Sequence, residues 1–243
     1  MGQVFHSFIY QPLYNLLIFI YNVVPGADFG IAIITITIIL RFLLVPIYKK
    51  QIESQKKLQE LQPKIKEIQQ KNKSNKENQA KEMMELYKKH KTNPFSGCLP
   101  LIVQLIFLIA IYRILINIST NGLLIDSKQL YSFISNPGTV NHMFISLVDL
   151  TKPNIVIAAL AAVAQFFQTK MLLAKMPVKE KSDNDDQPDF AQIMNKQMLF
   201  LGPGLTLFIG IKFPAGLSLY WFSSTVFMLV QQIYMQKTKD IKS

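Results

Sequence analysis

FGIAIITITIILRFLLVPI, from Phe29 to Ile47, decides how this chain is read. The run is apolar for 19 residues, long enough to cross a bilayer as a helix, and it carries one guanidinium, Arg41. An arginine at the centre of a membrane helix costs roughly 2.5 to 3.5 kcal/mol on insertion scales, so such residues usually face water, a partner or a substrate. Two readings compete. Arg41 could snorkel toward the basic stretch that begins at Lys49, or it could line a polar cavity between helices. Helical side chains lean toward the N-terminus, which here means away from those lysines, so geometry favours the cavity. Thr37, four residues earlier, shares the face of Arg41; Thr35 does not.

Working outward, half of the residues are hydrophobic, mean hydropathy is +0.23, and the net charge is nevertheless +11. Further apolar spans read as Phe95–Ile118, Asn154–Leu173, Met198–Ile211 and Ala215–Tyr234, giving an all-α polytopic membrane protein with a five-helix core. The Met198–Ile211 span is about 21 Å long at 1.5 Å per residue, short for roughly 30 Å of hydrocarbon, unless its helix begins nearer Ile193.

Lysines set the orientation. Thirteen of 24 lie between Tyr48 and Pro94, and eight more flank the ends of later spans or the C-terminus. The positive-inside rule puts 48–94, the 174–197 loop and the 235–243 tail in the cytoplasm, and the N-terminus and the 119–153 loop outside. Segment 1–28 reads as an interfacial amphipathic helix on the outer face: Ser7, Gln11, Asn15 and Asn22 occupy one side, with Phe8, Leu13, Leu16, Leu17 and Ile20 around the rest. Pro12 suits its first turn. A sixth span over Phe5–Val24 is the alternative. No lysine or arginine precedes Arg41, which argues against a cleavable signal peptide.

Residues 48–94 read as a cytoplasmic helical hairpin. Ile52, Leu58, Leu61, Ile65 and Ile68 mark one arm, Ala80, Met83, Met84 and Tyr87 the other, with KNKSNKEN as the tip and Pro63 kinking the first arm. It is either a solvated charged helix pair or a basic platform for ribosomal RNA, targeting factors or anionic headgroups. The 174–197 loop mixes Lys175, Lys179 and Lys181 with Asp183, Asp185, Asp186 and Asp189, a balance that does not favour nucleic acid.

Groupings that carry chemistry are scarce. Cys98 is the single cysteine, and His6, His90 and His142 are far apart, so neither an internal disulfide nor a metal cluster is expected. Ser218, Ser223 and Ser224 have no histidine nearby in the spans to activate them, and no phosphate-binding glycine loop occurs. The chain is therefore not expected to be an enzyme or to hold a cofactor.

Several ordered blocks resemble the YidC/Oxa/Alb family of membrane protein insertases: QPLYNLL, IILRFLLVPIYKKQ, KKLQELQPKIKEIQ, MMELYKKHKTNPFSGCLPLIVQLIFLIAIY, QFFQTKM and FPAGLSLYWFSSTVFMLVQQ. The resemblance covers nearly the whole chain. It implies a hydrophilic groove, open to cytoplasm and lipid, that receives the hydrophilic tail or loop of a nascent membrane protein while its apolar segment passes into lipid without ATP hydrolysis. Arg41, Thr37 and Trp221 would be groove residues, joined by Gln104, Gln165 and Gln168, although a glutamine inside a bundle can equally serve as an interhelical hydrogen-bond partner. An indole can also anchor at the membrane interface, but Trp221 lies six residues into its span. Leu101, Ile102, Leu105, Ile106 and Leu108 either guide the client or face lipid. Arg113 reads as an anchor at the outer end of its span.

Implied partners are nascent membrane proteins, the ribosome, a Sec translocon or targeting factors through the basic hairpin, and membrane lipids, with no sequence-specific nucleic acid. The implied location is the cell membrane of a prokaryote. The short tail MQKTKDIKS, the internal position of Cys98 and the few residues before the first core span fit a compact form of the family. A secondary transporter or channel for an anionic solute is the alternative from another class, and a scaffold or lipid scramblase a third; repeat symmetry of the kind transporters carry is not evident.

Overall fold

The computed structural model describes residues 2–73, 75–90, 92–93, 99–173 and 190–240. Cys98 and most of the 174–197 loop lie outside the described residues. Almost all regular structure is helical: α1 (Gln11–Val23), preceded by a short turn Gln3–Phe5 and a π-helical stretch His6–Tyr10, then α2 (Phe29–Glu60), α3 (Gln62–Lys71), α4 (Lys76–Lys89), α5 (Leu99–Thr120), α6 (Ile155–Leu173), α7 (Phe190–Lys212) and α8 (Ala215–Asp240). A 3₁₀ turn, Ser127–Gln129, and a two-stranded antiparallel hairpin, β1 (Met143–Phe144) and β2 (Val148–Asp149), decorate the connection between α5 and α6.

Three described helices contain stretches long and apolar enough to cross a membrane: Phe29–Ser54, Ile102–Thr120 and Ile155–Leu173. The two further spans expected from the sequence fall on α7 and α8, whose described residues do not combine that length and hydropathy. Among the described residues, the apolar part of α7 is Leu199–Lys212, within a helix of 23 residues, about 35 Å at 1.5 Å per residue. It includes Pro203 between Gly202 and Gly204. Helix α8 is long enough, at 26 residues, but Ser218, Ser223, Ser224, Thr225, Gln231 and Gln232 dilute its apolar character.

The chain divides into two compact units, one of residues 2–42, 106–173 and 190–240, the other of 43–105. In the first, the core joins Tyr14, Leu17 and Ile18 of α1 to Ala32, Ile33 and Ile36 of α2, Ile111 and Ile114 of α5, Leu217 and Leu219 of α8, and Leu150. Small residues set the closest approaches. A Cβ added to Gly216 would lie 3.0 Å from Leu115 Cδ2 and 3.3 Å from Ile33 Cδ1, and one added to Gly210 would lie 2.5 Å from Ala158 Cβ. Lipid is as apolar as leucine, so such helices are held chiefly by van der Waals packing, and small residues permit it.

Capping residues fix where the helices start. Asp28 accepts from Ile31 N at 3.0 Å with one carboxylate oxygen, and with the other accepts from Ile145 N at 2.6 Å. One side chain thus caps α2 and holds the tip of the β-hairpin, where Ile145 (φ 52°) and Ser146 (φ 59°) adopt left-handed conformations that β-branched residues disfavour. Asn154 caps α6, accepting from Val156 N at 3.0 Å and Ile157 N at 3.1 Å. The first amides of α8 donate to loop carbonyls, Ala215 N to Lys152 O (2.8 Å) and Gly216 N to Leu150 O (3.0 Å).

The polar stripe read on the N-terminal helix has a definite partner. Asn15 donates to Gln129 O at 2.8 Å and accepts from Tyr131 N at 2.7 Å; Asn22 donates to Ser135 O at 2.7 Å; Gln11 donates to Gln129 O at 3.4 Å. Two tyrosine hydroxyls extend the clamp, Tyr14 accepting from Asp126 N at 3.0 Å and Tyr21 from Asn141 N at 2.8 Å. Asn15 is buried, so this face reads the backbone of the 121–154 loop where amphipathicity suggested water.

In the second unit, α3 and α4 pack together. Lys71 and Glu82 form an ion pair at 3.2 Å, and Asn78 Nδ2 donates to Asn72 Oδ1 at 2.9 Å. Leu61 and Ile65 are buried, whereas none of the residues of α4 is, and Met84 is exposed. Pro63 does not kink a continuous arm. Helix α2 ends at Glu60, and Pro63 sits in the first turn of α3, where its missing N–H costs nothing.

Candidate functional site

Arg41 lies on α2 in the first unit, half-buried, and its guanidinium meets α8. Nε donates to Ser224 Oγ at 2.8 Å, and Nη2 donates to the same oxygen. Ser224 is fully buried. The serine oxygen accepts from two nitrogens of the guanidinium, which fixes the plane of the fork against α8. Beside it, Phe42 stacks edge-on against Phe227 of α8 with ring centroids 5.0 Å apart, giving the guanidinium an apolar flank.

A second polar group adjoins it along α8. Trp221 Nε1 donates to Gln165 Oε1 at 3.2 Å, and Thr225 Oγ1 donates to the same oxygen at 3.4 Å. The other end of the Gln165 amide donates to Gln168 Oε1 at 3.4 Å and Thr169 Oγ1 at 3.5 Å. Trp221, Ser224 and Thr225 are spaced i, i+3 and i+4, so they form one stripe on α8. That stripe meets Arg41 of α2 and Gln165 of α6. Gly202 of α7 closes the far side, its missing Cβ position lying 4.0 Å from Gln165 Nε2 and Thr169 Oγ1.

Of the residues singled out from the sequence, the structure therefore brings together Arg41, Trp221, Gln165 and Gln168. Thr37 is fully buried and donates its hydroxyl to Ile33 O of its own helix at 2.6 Å. Gln104 lies in the second unit, where its side chain is buried. Sequence reasoning missed Ser224, Thr225 and Thr169. Hydroxyls in apolar helices commonly bond back to the i−4 carbonyl, as Ser223 does to Leu219 O at 2.8 Å, so a serine in such a helix does not by itself signal a partner on another helix. The available signal was the i, i+3, i+4 stripe with Trp221. Among the described residues, no group of three or more His, Cys, Asp or Glu side chains could hold a metal ion.

This architecture defines a mostly helical membrane protein with a cation and a polar network among α2, α6 and α8, of which α2 and α6 are long and apolar enough to cross a membrane. A family model described as 60Kd inner membrane protein matches residues 19–242, and the chain belongs to that family, the YidC/Oxa group that its sequence blocks resemble. Similar proteins carry the name membrane protein insertase YidC. The Fusobacterium nucleatum protein is 32% identical over 234 residues, covering 95% of this chain and 98% of its own length. Those of Streptomyces avermitilis (31% over 236 residues) and Wolinella succinogenes (32% over 238) cover 89% and 98% of this chain. The chain spans only 54% and 39% of those two longer relatives. These similarities make it a multi-pass protein of a prokaryotic inner membrane, and they lend no support to the transporter alternative.

Proposed function

We propose that this chain is a membrane protein insertase: it accepts the hydrophilic tail or loop of a nascent membrane protein at Arg41 and releases the adjoining apolar segment into lipid, without ATP hydrolysis. The observation that carries the reading is Arg41 held by Ser224 beside the Gln165–Trp221 network, a charged and hydrogen-bonding surface within membrane-spanning helices. The names of the relatives point the same way.

In this reading α2, α5, α6, α7 and α8 form a five-helix core around a hydrophilic groove. The groove is lined by Arg41, Trp221, Gln165 and Gln168, with Thr37 supporting it. The N-terminal segment lies along the outer face. The 48–94 hairpin and the C-terminus are cytoplasmic, where the lysines offer a platform to ribosomes, targeting factors, a Sec translocon or anionic lipid. The short apolar stretch of α7 supports local thinning of the bilayer, which shortens the barrier a hydrophilic tail must cross.

Energetically, transfer of about 20 apolar client residues into lipid supplies the driving force at ~25 cal/mol per Å² buried. An outside-positive potential adds about 2.3 kcal/mol per acidic charge per 100 mV. The guanidinium concentrates acidic tails at the start of the path and is not consumed. A photoreactive residue at position 221, in ribosome-bound nascent chain complexes, is expected to cross-link to the client tail; one at Val163, exposed on α6, is not. Equal adducts at both positions would remove the groove from the account.

A further inference from the structure

A cavity of about 440 Å³ lies away from Arg41, at the end of α5 that leads into the 121–154 loop. We propose that this cavity binds a phosphate-bearing anion, with Arg113 as the charge that selects it and His6, Tyr10, Asn117 and Gln129 as its polar wall. Its volume falls within the roughly 300–1,000 Å³ of small-ligand sites.

Arg113 is exposed and, among the described residues, meets no carboxylate within 4.0 Å. Its guanidinium sits 5.8 Å from the centroid of the Phe5 ring, which orients the fork without neutralising it. The nearest acid of the loop, Asp126, accepts from Lys128 N at 3.0 Å, and its carboxylate is close enough to Tyr10 to add to the upward push on that phenol, so Arg113 is the charge that must outweigh it. His6 Nε2 and Gln129 Oε1 lie 3.0 Å apart and hydrogen-bond each other, which ties the N-terminal segment to the loop across the cavity wall. Burial pushes the Tyr10 phenol up to about 12, which keeps it protonated and able to donate at neutral pH. A planar fork, an amide and a phenol offer donors to an anion of several oxygens, the geometry in which arginine binds phosphate bidentately.

Two sources could supply such a phosphate, a phospholipid headgroup or a free ion. The lipid fits better. Arg113 precedes the end of a membrane-crossing stretch, Ile102–Thr120, by seven residues, about 10 Å. Tyr112 and Ile116 give the cavity an apolar side suited to the glycerol and upper acyl chain, and Phe8 and Val4 are exposed on the adjacent N-terminal segment. That this headgroup belongs to the outer leaflet rests on the topology proposed above.

Native mass spectrometry of the purified full chain in detergent tests this with phosphatidylglycerol, phosphatidylcholine and inorganic phosphate as probes. Wild type is expected to retain one phosphatidylglycerol more tightly than phosphatidylcholine. Arg113→Gln should weaken retention about tenfold, the size of one charge-assisted hydrogen-bonded contact, and Asn117→Leu should weaken it by obstructing the cavity. Lys152→Gln, which removes a cation paired instead with Asp149, should leave it unchanged. Displacement of the lipid by about 10 mM phosphate would support the site and make the free ion its occupant; resistance to phosphate supports the lipid. Equal phosphatidylglycerol retention by wild type and Arg113→Gln would overturn the proposal. Insertion activity does not enter this readout, so a failure of the insertase reading would leave it standing.

Discussion

Replacing Gly210 with alanine puts a methyl group where three helices meet. The new Cβ would lie 2.5 Å from Ala158 Cβ, 2.9 Å from Ser218 Oγ and 3.1 Å from Ala158 Cα. Carbon atoms at rest lie about 3.5–4.0 Å apart, so α6 and α7 must separate by roughly 1 Å. A backbone Cα cannot rotate out of the way. Overpacking of this kind costs about 1–3 kcal/mol, a factor of roughly 5 to 150 in the folding equilibrium. Reversible unfolding in bilayer-like micelles, followed by steric trapping, measures it. The partner variant Ala158→Gly removes the closest contact but leaves its own Cα and the Ser218 hydroxyl. The double-mutant cycle should therefore show a favourable interaction that recovers part of the loss. Gly210→Ala within about 0.3 kcal/mol of wild type, or a cycle with no interaction term, would refute the packing on which the polar network rests.

Other consequences follow from the same geometry. Gln165→Leu and Trp221→Phe should each lower stability, with a coupling near ~0.6 kcal/mol, as interhelical hydrogen bonds in membranes average; purely additive effects would mean the indole and amide do not bond. Asn15→Leu leaves Gln129 O and Tyr131 N without their side-chain partner, and about 2–4 kcal/mol of destabilisation is expected, visible as faster proteolysis of the 121–154 loop. Burial works to raise the Asp149 carboxyl, but hydrogen bonds from Thr151 and Lys152 and the nearby His142 outweigh it and hold it below the ordinary 3.8. A depressed carboxylate stabilises the fold above its unfolded value and loses that contribution as pH falls through the lower folded value. Acid titration below about pH 4 should thus unfold the loop less steeply in Asp149→Asn than in wild type.

The sequence made the helical class legible because apolar runs of spanning length and segregated lysines are strong local signals. It also placed Arg41 in a polar setting, through the cost of an intramembrane cation. Other features were hidden because their causes are distant along the chain. The stripe Gln11, Asn15, Asn22 was visible, but its partners lie 113 to 118 residues away, so periodicity reported the face and not what it binds. Ser224 was hidden for a related reason, since its partner Arg41 is 183 residues distant. Helix α8 shows the converse. The polar residues that dilute its apolar character include Ser224 and Thr225, so the feature that weakens it as a span also supplies its hydrogen bonds to α2 and α6. Pro63 suggests a kink because proline breaks helices, whereas a helix ending at Glu60 lets the same residue start the next one.

The central claim is that Arg41 acts as a cation on the client. It is tested most directly by inserting a single-spanning protein with an acidic N-terminal tail into liposomes containing the purified chain, scored by protease protection. Insertion above empty liposomes is expected for wild type, loss with Arg41→Ala and substantial retention with Arg41→Lys, which keeps the charge while losing the fork that grips Ser224. Insertion by Arg41→Ala at the wild-type level would contradict it, leaving the arginine a structural partner of α8.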